Sequence, residues 1–303
     1  MSPILGFRTH PPHFRNSSPA PSLLLSTAMP QATATRSKRS VAVPSILGDQ
    51  LPLWSERVRG APNVLARSAL FTCADKRAPR RRFERTLIAT LEGSTIYYTG
   101  EELRQDDLTV WLQVCHLARM TKLGDHIEVT ARGLAATMMK QGGGTDLTSL
   151  RESIARLREG MIWVNEADGN GWTGNLIAKL HWSEAGNNSR EKWKMGLDEK
   201  ILALFQPDTY TLQDWAIRLK LKPAQQWLYG FFASHANPFA YKPETLHKLS
   251  GSTATLASWR KIMKRALDGL VESNMIQDYV ETKTTVRVIH KSRQDALPAP
   301  EMV

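Results

Sequence analysis

The residues best suited to contact another molecule lie close together between positions 253 and 265. This stretch has helical spacing, with small or hydroxyl-bearing side chains first and cations later. Small residues can approach thymine methyl groups, and lysine or arginine can meet guanine or phosphate. The candidate contact residues, on or beside one side of the helix, are Thr253, Ala254, Ala257, Ser258, Arg260, Lys261, Lys264 and Arg265. The pattern predicts a helix that reads the major groove of DNA.

A second stretch has the same helical spacing with fewer cations. Its apolar residues, which predict a buried stripe, are Leu147, Leu150, Ile154 and Leu157. The opposite side carries Thr145, Thr148, Ser149, Glu152 and Arg156. Arginine suits guanine and glutamate suits the amino group of cytosine, so this side is a second candidate for base contacts. A solvated helix face explains this helix equally well when it is considered alone.

A dense run of cations precedes both helices, and one further lysine lies in a predicted turn near the end of the chain. Contacts to phosphate do not depend on base sequence, so such residues raise affinity and salt dependence without adding specificity. The candidate phosphate contacts are Lys76, Arg77, Arg80, Arg81, Arg82 and Lys283. A solvated basic loop is the competing interpretation of the run.

Two segments, 129–182 and 243–290, share the order of elements that would position these residues. Each reads as a short helix, a small-residue turn, a longer amphipathic helix and two strands. A helix, a turn, a second helix and a β-wing form a common device for placing one helix in a DNA groove. The sequence therefore predicts an α+β fold with two tandem winged-helix domains, at residues 63–207 and 208–291.

The chain before and after these domains has a different composition. Residues 1–48 contain no acidic residue, and Pro, Ser, Ala and Thr are frequent up to about residue 62. Such a segment has too little apolar surface to offset the entropy of folding. We therefore expect a disordered basic arm over residues 1–62 and a frayed tail over residues 292–303.

One short motif in the predicted arm has an apolar character that the arm otherwise lacks. Its residues are Gln50, Leu51, Pro52, Leu53 and Trp54. A short apolar motif in a disordered segment commonly docks into a groove of a partner protein. Packing against the following domain is the alternative, and the residues alone do not separate the two.

Composition limits the class of protein. The chain has 303 residues and a net charge of +11, from 40 Lys+Arg against 29 Asp+Glu, which favours a polyanionic partner. Only two cysteines are present, and neither belongs to a CxxC or Cys/His cluster, so we expect neither zinc nor disulfides. Apolar runs are too short to span a membrane. We expect a cytoplasmic protein that contacts no membrane.

An enzymatic alternative is a DNA nickase that uses a tyrosine, for which Tyr97 and Tyr98 are the candidates. Such enzymes need a metal held by closely spaced histidines, and the sequence contains no His-x-His pair. Two strand residues are therefore the favoured interpretation. The glycine turn at 142–144 is not followed by Gly-Lys-Ser/Thr, so it is not a nucleotide-binding P-loop. We expect a protein with no catalytic residue, no metal and no cofactor.

Several motifs resemble the TrfA family of broad-host-range plasmid replication initiators over about residues 64–290. The most specific are Ala66-Arg67-Ser68-Ala69-Leu70-Phe71-Thr72, Tyr98-Thr99-Gly100, Ser234-His235, Gly251-Ser252 and Trp259-Arg260. The segment 130–159 matches the family poorly. The resemblance implies two winged-helix domains that bind directly repeated sites, called iterons, in double-stranded origin DNA.

The resemblance also implies a set of partners. Family members help to open adjacent A·T-rich DNA, which adds single-stranded A·T-rich DNA as a partner, and they work with the host initiator DnaA and the replicative helicase. They form dimers that must become monomers to initiate. The family carries a sliding-clamp motif, Gln-Leu-x-Leu-Phe, at the place of Gln50, Leu51, Leu53 and Trp54 here, which favours clamp binding over packing. A winged-helix transcriptional repressor or autoregulator without a replication role is the alternative function.

Overall fold

The computed structural model describes six stretches of the chain: residues 50–91, 94–122, 124–138, 147–165, 169–183 and 191–291. Most of the predicted arm, the predicted tail, the glycine turn at 142–144 and Thr145 lie outside them. The described residues form a mixed α/β protein.

Strands are short and numerous. In the described residues they are β1 (Val58–Pro62), β2 (Phe71–Thr72), β3 (Arg82–Leu91), β4 (Ser94–Glu101), β5 (Leu103–Arg104), β6 (Ile127–Thr130), β7 (Met161–Asn165), β8 (Gly171–Asn175), β9 (Lys179–Ser183), β10 (Lys192–Gly196), β11 (Tyr210–Asp214), β12 (Asp278–Glu281) and β13 (Val286–Ile289). They pair into five sheets, ordered β1-β11, β2-β5, β3-β4-β7-β8, β6-β10-β9 and β12-β13. All pairs are antiparallel except β2 with β5.

Helices alternate with these strands. They are α1 (Asn63–Ala66), α2 (Gln105–Ala118), α3 (Ala131–Ala136), α4 (Leu147–Glu159), α5 (Glu199–Leu202), α6 (Trp215–Lys220), α7 (Pro223–Ala233), α8 (Pro243–Ser250) and α9 (Leu256–Glu272). A 3₁₀ helix follows α5 at Ala203–Phe205. A bilayer-spanning helix would have to be longer and more apolar than any helix in these stretches.

Helix α2 forms where the sequence predicts a buried helix. Leu108, Trp111, Leu112 and Cys115 recur at helical spacing, and all four are buried. The carboxylate of Asp107 accepts a hydrogen bond from the backbone N–H that precedes the helix, at 2.8 Å, and so caps the first turn. This central helix contacts β1, β2, β5, α4 and α7, which makes it the scaffold of the first half of the protein.

Two hydrophobic cores divide the described chain near residue 220. The first runs from Leu51 to Leu219 and the second from Leu221 to Val288. Sequence reasoning places the boundary at 207/208 and assigns Trp215 and Leu219 to the second domain. Both residues instead pack in the first core, because β11 pairs with β1 and carries α6 with it. We call the parts around these cores the first unit and the second unit.

The expectation of disorder up to residue 62 is wrong for residues 50–62. Every residue of β1 is buried, and the strand pairs with β11 in a register that runs from Val58 opposite Asp214 to Pro62 opposite Tyr210. Local composition does not reveal this order, because the partner strand lies far away in the sequence.

The hairpin expected to follow α4 as a wing has another location. Strands β7 and β8 extend the sheet of β3 and β4, with Trp163 opposite Tyr97 on one side and Thr173 on the other. Strand β10 pairs with β6 instead, and β9 pairs with the other edge of β10. Residues 176–178, which sequence reasoning places in a strand, form a connection between β8 and β9. The two units are therefore not simple copies of each other.

Candidate nucleic-acid interface

Helix α9 is the element on which most candidate contacts depend. Its first turn is capped by Thr255, whose side-chain oxygen accepts from the backbone N–H of Ser258 at 3.3 Å. Its apolar residues recur at helical spacing and are buried against the second core: Trp259, Met263, Ala266, Leu267 and Leu270. Because this stripe fixes the rotation of the helix, the opposite side must face solvent.

That opposite side is cationic, as the sequence predicts. The exposed candidates on it are Ala257, Ser258, Lys261, Lys264 and Arg265, and Thr253 is exposed just before the helix. No ion pair involves any of the three cations within the described stretches. Their charge is therefore available to an outside anion.

Two candidates near this side are committed to contacts within the protein. Arg260 is half-buried, and its Nη2 donates to Glu244 of α8 at 2.6 Å. Ala254 is half-buried, and its carbonyl oxygen accepts from His247 Nε2 at 2.8 Å. The first contact joins α8 to α9, and the second joins α8 to the segment just before α9.

A hairpin follows α9 and presents further polar groups. Between β12 and β13, the Thr282 backbone N–H donates to the Thr285 carbonyl at 2.8 Å, and the Thr285 N–H donates to Thr282 Oγ1 at 2.9 Å. The candidate Lys283 is exposed at the tip, and Arg287 is exposed on β13. Tyr241 forms an isolated bridge to Val286, which gives the hairpin a short third partner.

Helix α4 meets the sequence prediction only in part. Leu150, Ile154 and Leu157 are buried as predicted, and Thr148, Ser149 and Glu152 are exposed. Because these three residues are exposed, they are compatible with a face that reads bases and equally with a solvated face.

The assignment of Arg156 to a DNA-reading face is wrong. The side chain is buried, and its Nε and Nη2 donate to Asp107 Oδ1 at 3.1 and 2.9 Å. Asp107 belongs to α2, which packs against α4. Burial, followed by the neighbouring charge of Asp106, raises the pKa of Asp107, and the guanidinium groups of Arg156 and Arg80 oppose that effect. Arg156 therefore compensates a buried carboxylate inside the protein.

The basic run also divides into exposed and committed residues. Lys76, Arg77 and Arg82 are exposed. Arg80 donates to Asp107 at 2.8 Å and to Asp106 at 3.2 Å, with only 15% of its side chain exposed, so its charge is largely used inside the protein. Arg81 belongs to both groups, because 41% of its side chain is exposed while it binds Glu102 and donates to a carbonyl of the second unit.

The motif at residues 50–54 is packed against the first unit. Leu51 and Trp54 are 2% and 4% exposed, whereas Leu53 is 60% exposed. Gln50 Nε2 donates to the Arg119 carbonyl at 2.8 Å. The Trp54 ring lies 5.9 Å from that of Tyr210 between centroids. The structure thus has the packed arrangement, which the family resemblance disfavours.

A polar cluster holds the same segment on α2. Trp54 Nε1 donates to His116 Nδ1 at 2.9 Å, so the proton of the neutral imidazole is on Nε2, which lies 2.9 Å from a Glu56 carboxylate oxygen. Arg119 also binds Glu56. Burial lowers the pKa of His116 to about 4. The hydrogen bond from His116, with help from Arg119, lowers the pKa of Glu56 to about 2.

Tyr97 and Tyr98 both lie on β4, as the favoured interpretation expects. Tyr98 is 1% exposed, its hydroxyl donates to the Glu101 carbonyl at 2.8 Å, and burial raises its pKa. Tyr97 is half-buried, with the Arg85 guanidinium 6.0 Å from its ring centroid. A phenol held neutral and shielded, as Tyr98 is, has little nucleophilic character.

Sequence reasoning missed one cationic surface. In the β6-β10-β9 sheet, Lys192 pairs with Ser183, Lys194 with His181, and Gly196 with Lys179. Lys179, His181, Lys192 and Lys194 are all exposed, and Lys194 contacts Glu128 at 2.6 Å. The alternation of lysine with buried Trp193 and Met195 is the signal that predicts such a face.

The fold and the exposed cationic helix together define a two-core α/β protein with a surface suited to nucleic acid. Crystal structures of RctB domains 2 and 3, one of them of selenomethionine derivatives, share this fold with TM-scores of 0.51 and identities of 13% and 14%. Each match covers 76% of this chain and 97% of the RctB chain.

The chain belongs to the TrfA protein family, whose sequence pattern matches residues 28–288. It is 31% identical over 228 residues to the plasmid replication initiator protein TrfA of Escherichia coli. That match covers 74% of this chain and 59% of the relative, so the chain spans about three fifths of the relative's length. The family predicted from the motifs is confirmed.

Proposed function

We propose that this protein initiates plasmid replication by binding iterons in double-stranded origin DNA. The observation that carries the proposal is the side of α9 that bears Lys261, Lys264 and Arg265, because it is exposed and its charge is not neutralised by any described ion pair. Membership of a family with a named replication initiator supports the same function.

The two units act in this proposal as two winged-helix domains. In the second unit α8 and α9 form the helical pair, and β12 and β13 form the wing, with Lys283 at its tip. In the first unit the helices are α3 and α4, and the sheet is β6-β10-β9. In the second unit the connections support this assignment, since α9 is followed directly by the hairpin of β12 and β13.

Base reading and backbone contact are divided between the units. The second unit presents three cations that form no ion pair with a described residue and lie beside small residues, which suits the major groove. The first unit presents lysines on the β6-β10-β9 face and the exposed part of the basic run, which suits phosphate. We therefore propose that specificity resides mainly in α9 and that the first unit adds affinity.

Further partners are proposed on the family relationship. They are single-stranded A·T-rich DNA at the opened origin, the host initiator DnaA, the replicative helicase, the sliding clamp and a second copy of the chain. Clamp binding through residues 50–54 requires Leu51 and Trp54 to leave the first core, because the packed segment exposes only Leu53 among its large apolar side chains. We propose a binding function in the cytoplasm, without catalysis, metal or cofactor.

Footprinting on the direct repeats of the cognate plasmid tests the proposal. We expect protection of about two helical turns per monomer, since two reading helices on one face are separated by roughly one turn of duplex or more. Protection of only a few base pairs, or none over the repeats, contradicts the proposal. A protein that binds one operator and regulates transcription, yet does not support replication of a plasmid carrying the repeats, is the repressor or autoregulator instead.

A further inference from the structure

The turn between α8 and α9 lies against the first unit. The Cys73 backbone N–H donates to the Ser250 carbonyl at 2.9 Å, and Arg81 Nη2 donates to the Gly251 carbonyl at 2.9 Å. Gly251 has a φ of +62°, and a Cβ at this position would lie 2.5 Å from Thr72 Cγ2. The turn therefore fits closely against the first unit as well as bonding to it.

A buried carboxylate holds Arg81 in the orientation that reaches this turn. Glu102 is fully buried, and it accepts from Arg104 Nη2 at 2.8 Å, Arg81 Nε at 3.0 Å and Thr72 Oγ1 at 3.0 Å. Burial opposes ionisation of Glu102, but the hydrogen bonds from Arg104 and Arg81 outweigh it and lower its pKa. The charged carboxylate thus fixes one edge of the Arg81 guanidinium, and Nη2 also reaches Gly251.

We infer that Arg81, oriented by Glu102, is a positioning residue that fixes α9 relative to the first unit, so that both units meet DNA at one set spacing. The inference rests on the proposed function. It also replaces the sequence-based assignment of Arg81 as a phosphate contact. Joining two weak contacts rigidly raises the effective concentration of the second contact after the first has formed. Loss of the junction should therefore weaken binding to a complete iteron without altering either contact surface.

The test compares Arg81→Met with its neighbour Arg82→Met in the full-length chain. Both residues are exposed and both variants remove one positive charge, but Arg82, on β3, has no described ion pair. We measure affinity for a complete iteron and for a half-site across a series of salt concentrations. We also measure affinity for iterons that have base pairs inserted between the half-sites.

For Arg81→Met we expect about tenfold weaker binding to the complete iteron, unchanged half-site binding and greater tolerance of inserted base pairs. The slope of log affinity against log salt should not change. Arg82→Met should lower that slope by about one on both DNAs and leave spacing preference intact, as expected of a phosphate contact. Glu102→Gln should reproduce the Arg81→Met pattern, and the double variant should be no worse than either single one.

A readout without DNA accompanies these measurements. Hydrogen exchange at the Cys73 amide, which donates to Ser250, should accelerate in Arg81→Met and stay unchanged in Arg82→Met. If Arg81→Met lowers the salt slope and keeps the spacing preference, Arg81 is a phosphate contact and the inference is overturned. Unchanged affinity and exchange in Arg81→Met also overturn it. If the wild-type chain fails to bind its iterons, the proposed function fails first, and the inference fails with it.

Discussion

Asp107 and Glu102 are fully buried, and each is surrounded by arginine side chains. Asp107 binds Arg80 and Arg156, and Glu102 binds Arg81 and Arg104. An uncompensated buried carboxylate costs several kcal/mol, so each acid needs its arginines to remain in place. Arg80, Arg104 and Arg156 are thereby largely withheld from DNA, and a charge-removing substitution at Arg156 acts on folding before it acts on binding.

We expect Arg156→Met to lower the free energy of unfolding by about 2–4 kcal/mol, because Arg80 alone then compensates Asp107. Arg158→Met is the matched control, since Arg158 is exposed on the same helix, and its effect should stay within about 0.5 kcal/mol. Urea denaturation measures both. Equal effects of the two substitutions contradict the role given to Arg156.

If Lys264 meets phosphate, Lys264→Ala should weaken binding about equally on specific and nonspecific duplexes and reduce the salt slope by about one. Lys222→Ala removes an exposed lysine at the start of α7 and serves as control. Gel-shift titrations at several salt concentrations provide the measurement. Selective loss on the specific site would instead show that Lys264 reads a base.

For single residues, the sequence predicts which side of a helix is charged better than it predicts which groups those charges contact. The spacing of Trp259, Met263 and Leu267 identifies the buried side of α9, and the cations on the other side follow from it. Arg156 also has the spacing of an exposed residue. Its partner Asp107 lies 49 positions away, so no local pattern predicts their ion pair.

Among the elements, the segment at residues 50–57 combines a partner-binding motif with a structural role. Trp54 packs on residues of the first core, and Glu56 joins His116 and Arg119 of the neighbouring helix end. Binding of this segment by another protein therefore competes with its packing. Releasing the segment from the first core costs free energy, and this cost lowers the observed affinity for the partner.

A peptide spanning residues 48–58 should consequently bind the sliding clamp more tightly than the full chain does. The pair Leu51→Ala and Leu53→Ala separates the two roles, because Leu51 is 2% and Leu53 is 60% exposed. Leu51→Ala should destabilise the protein by about 2–5 kcal/mol, and Leu53→Ala by less than about 0.5 kcal/mol while still weakening clamp binding. Calorimetric titration and urea denaturation test these outcomes. Equal clamp affinity for peptide and full chain would mean that release costs nothing.

Acidification should loosen the same segment. The pKa of His116 is about 4 in the folded protein, against an ordinary value of 6.5, so the unfolded chain takes up the proton first as pH falls. Stability should therefore decline between pH 6.5 and about 4, by on the order of 3 kcal/mol from this residue. His235 acts in the same direction, so the difference between wild type and His116→Gln in denaturation midpoints against pH isolates His116. Parallel curves for the two proteins contradict the assignment.

Element types follow from local sequence more readily than element partners do. The helices α2, α4 and α9 all form where apolar periodicity predicts them. Strand β7 forms as predicted but joins β4 instead of a wing. Strand β1 lies in a segment whose neighbours favour disorder. Its order depends on pairing with β11, and the composition around β1 carries no information about that distant strand.

In the whole molecule, the two cores are connected by buried polar contacts. Arg218 is fully buried near their boundary, and its guanidinium donates to Gln213 at 2.9 Å and to Gln105 of α2 at 3.3 Å. Gln226 of α7 in turn donates to the Arg218 carbonyl at 2.9 Å. Because separating the units would leave the buried Gln226 side chain without this acceptor, the units resist independent opening.

We expect residues 50–291 to unfold in a single transition as a result. Calorimetry should give equal calorimetric and van't Hoff enthalpies, and amide exchange in α2 and α9 should report the same opening free energy. Gln226→Met, which removes the side-chain donor that crosses the boundary, should separate the transitions. Two transitions in the wild-type protein would contradict the proposed coupling. The sequence predicts two units, but it does not predict this coupling, since Arg218 lies in a stretch with no distinctive motif.

The pairing of β1 with β11 also determines when the early part of the chain can fold during translation. Trp54 packs against Phe205 and Tyr210, which the ribosome adds about 150 residues later, or roughly 8 to 30 seconds at ~5–20 residues per second. Throughout that interval the segment at residues 50–54 has left the ribosome without the surface that later covers it. A newly made chain is therefore more open to capture at this segment than a finished one, and the rate of translation sets how long that opportunity lasts.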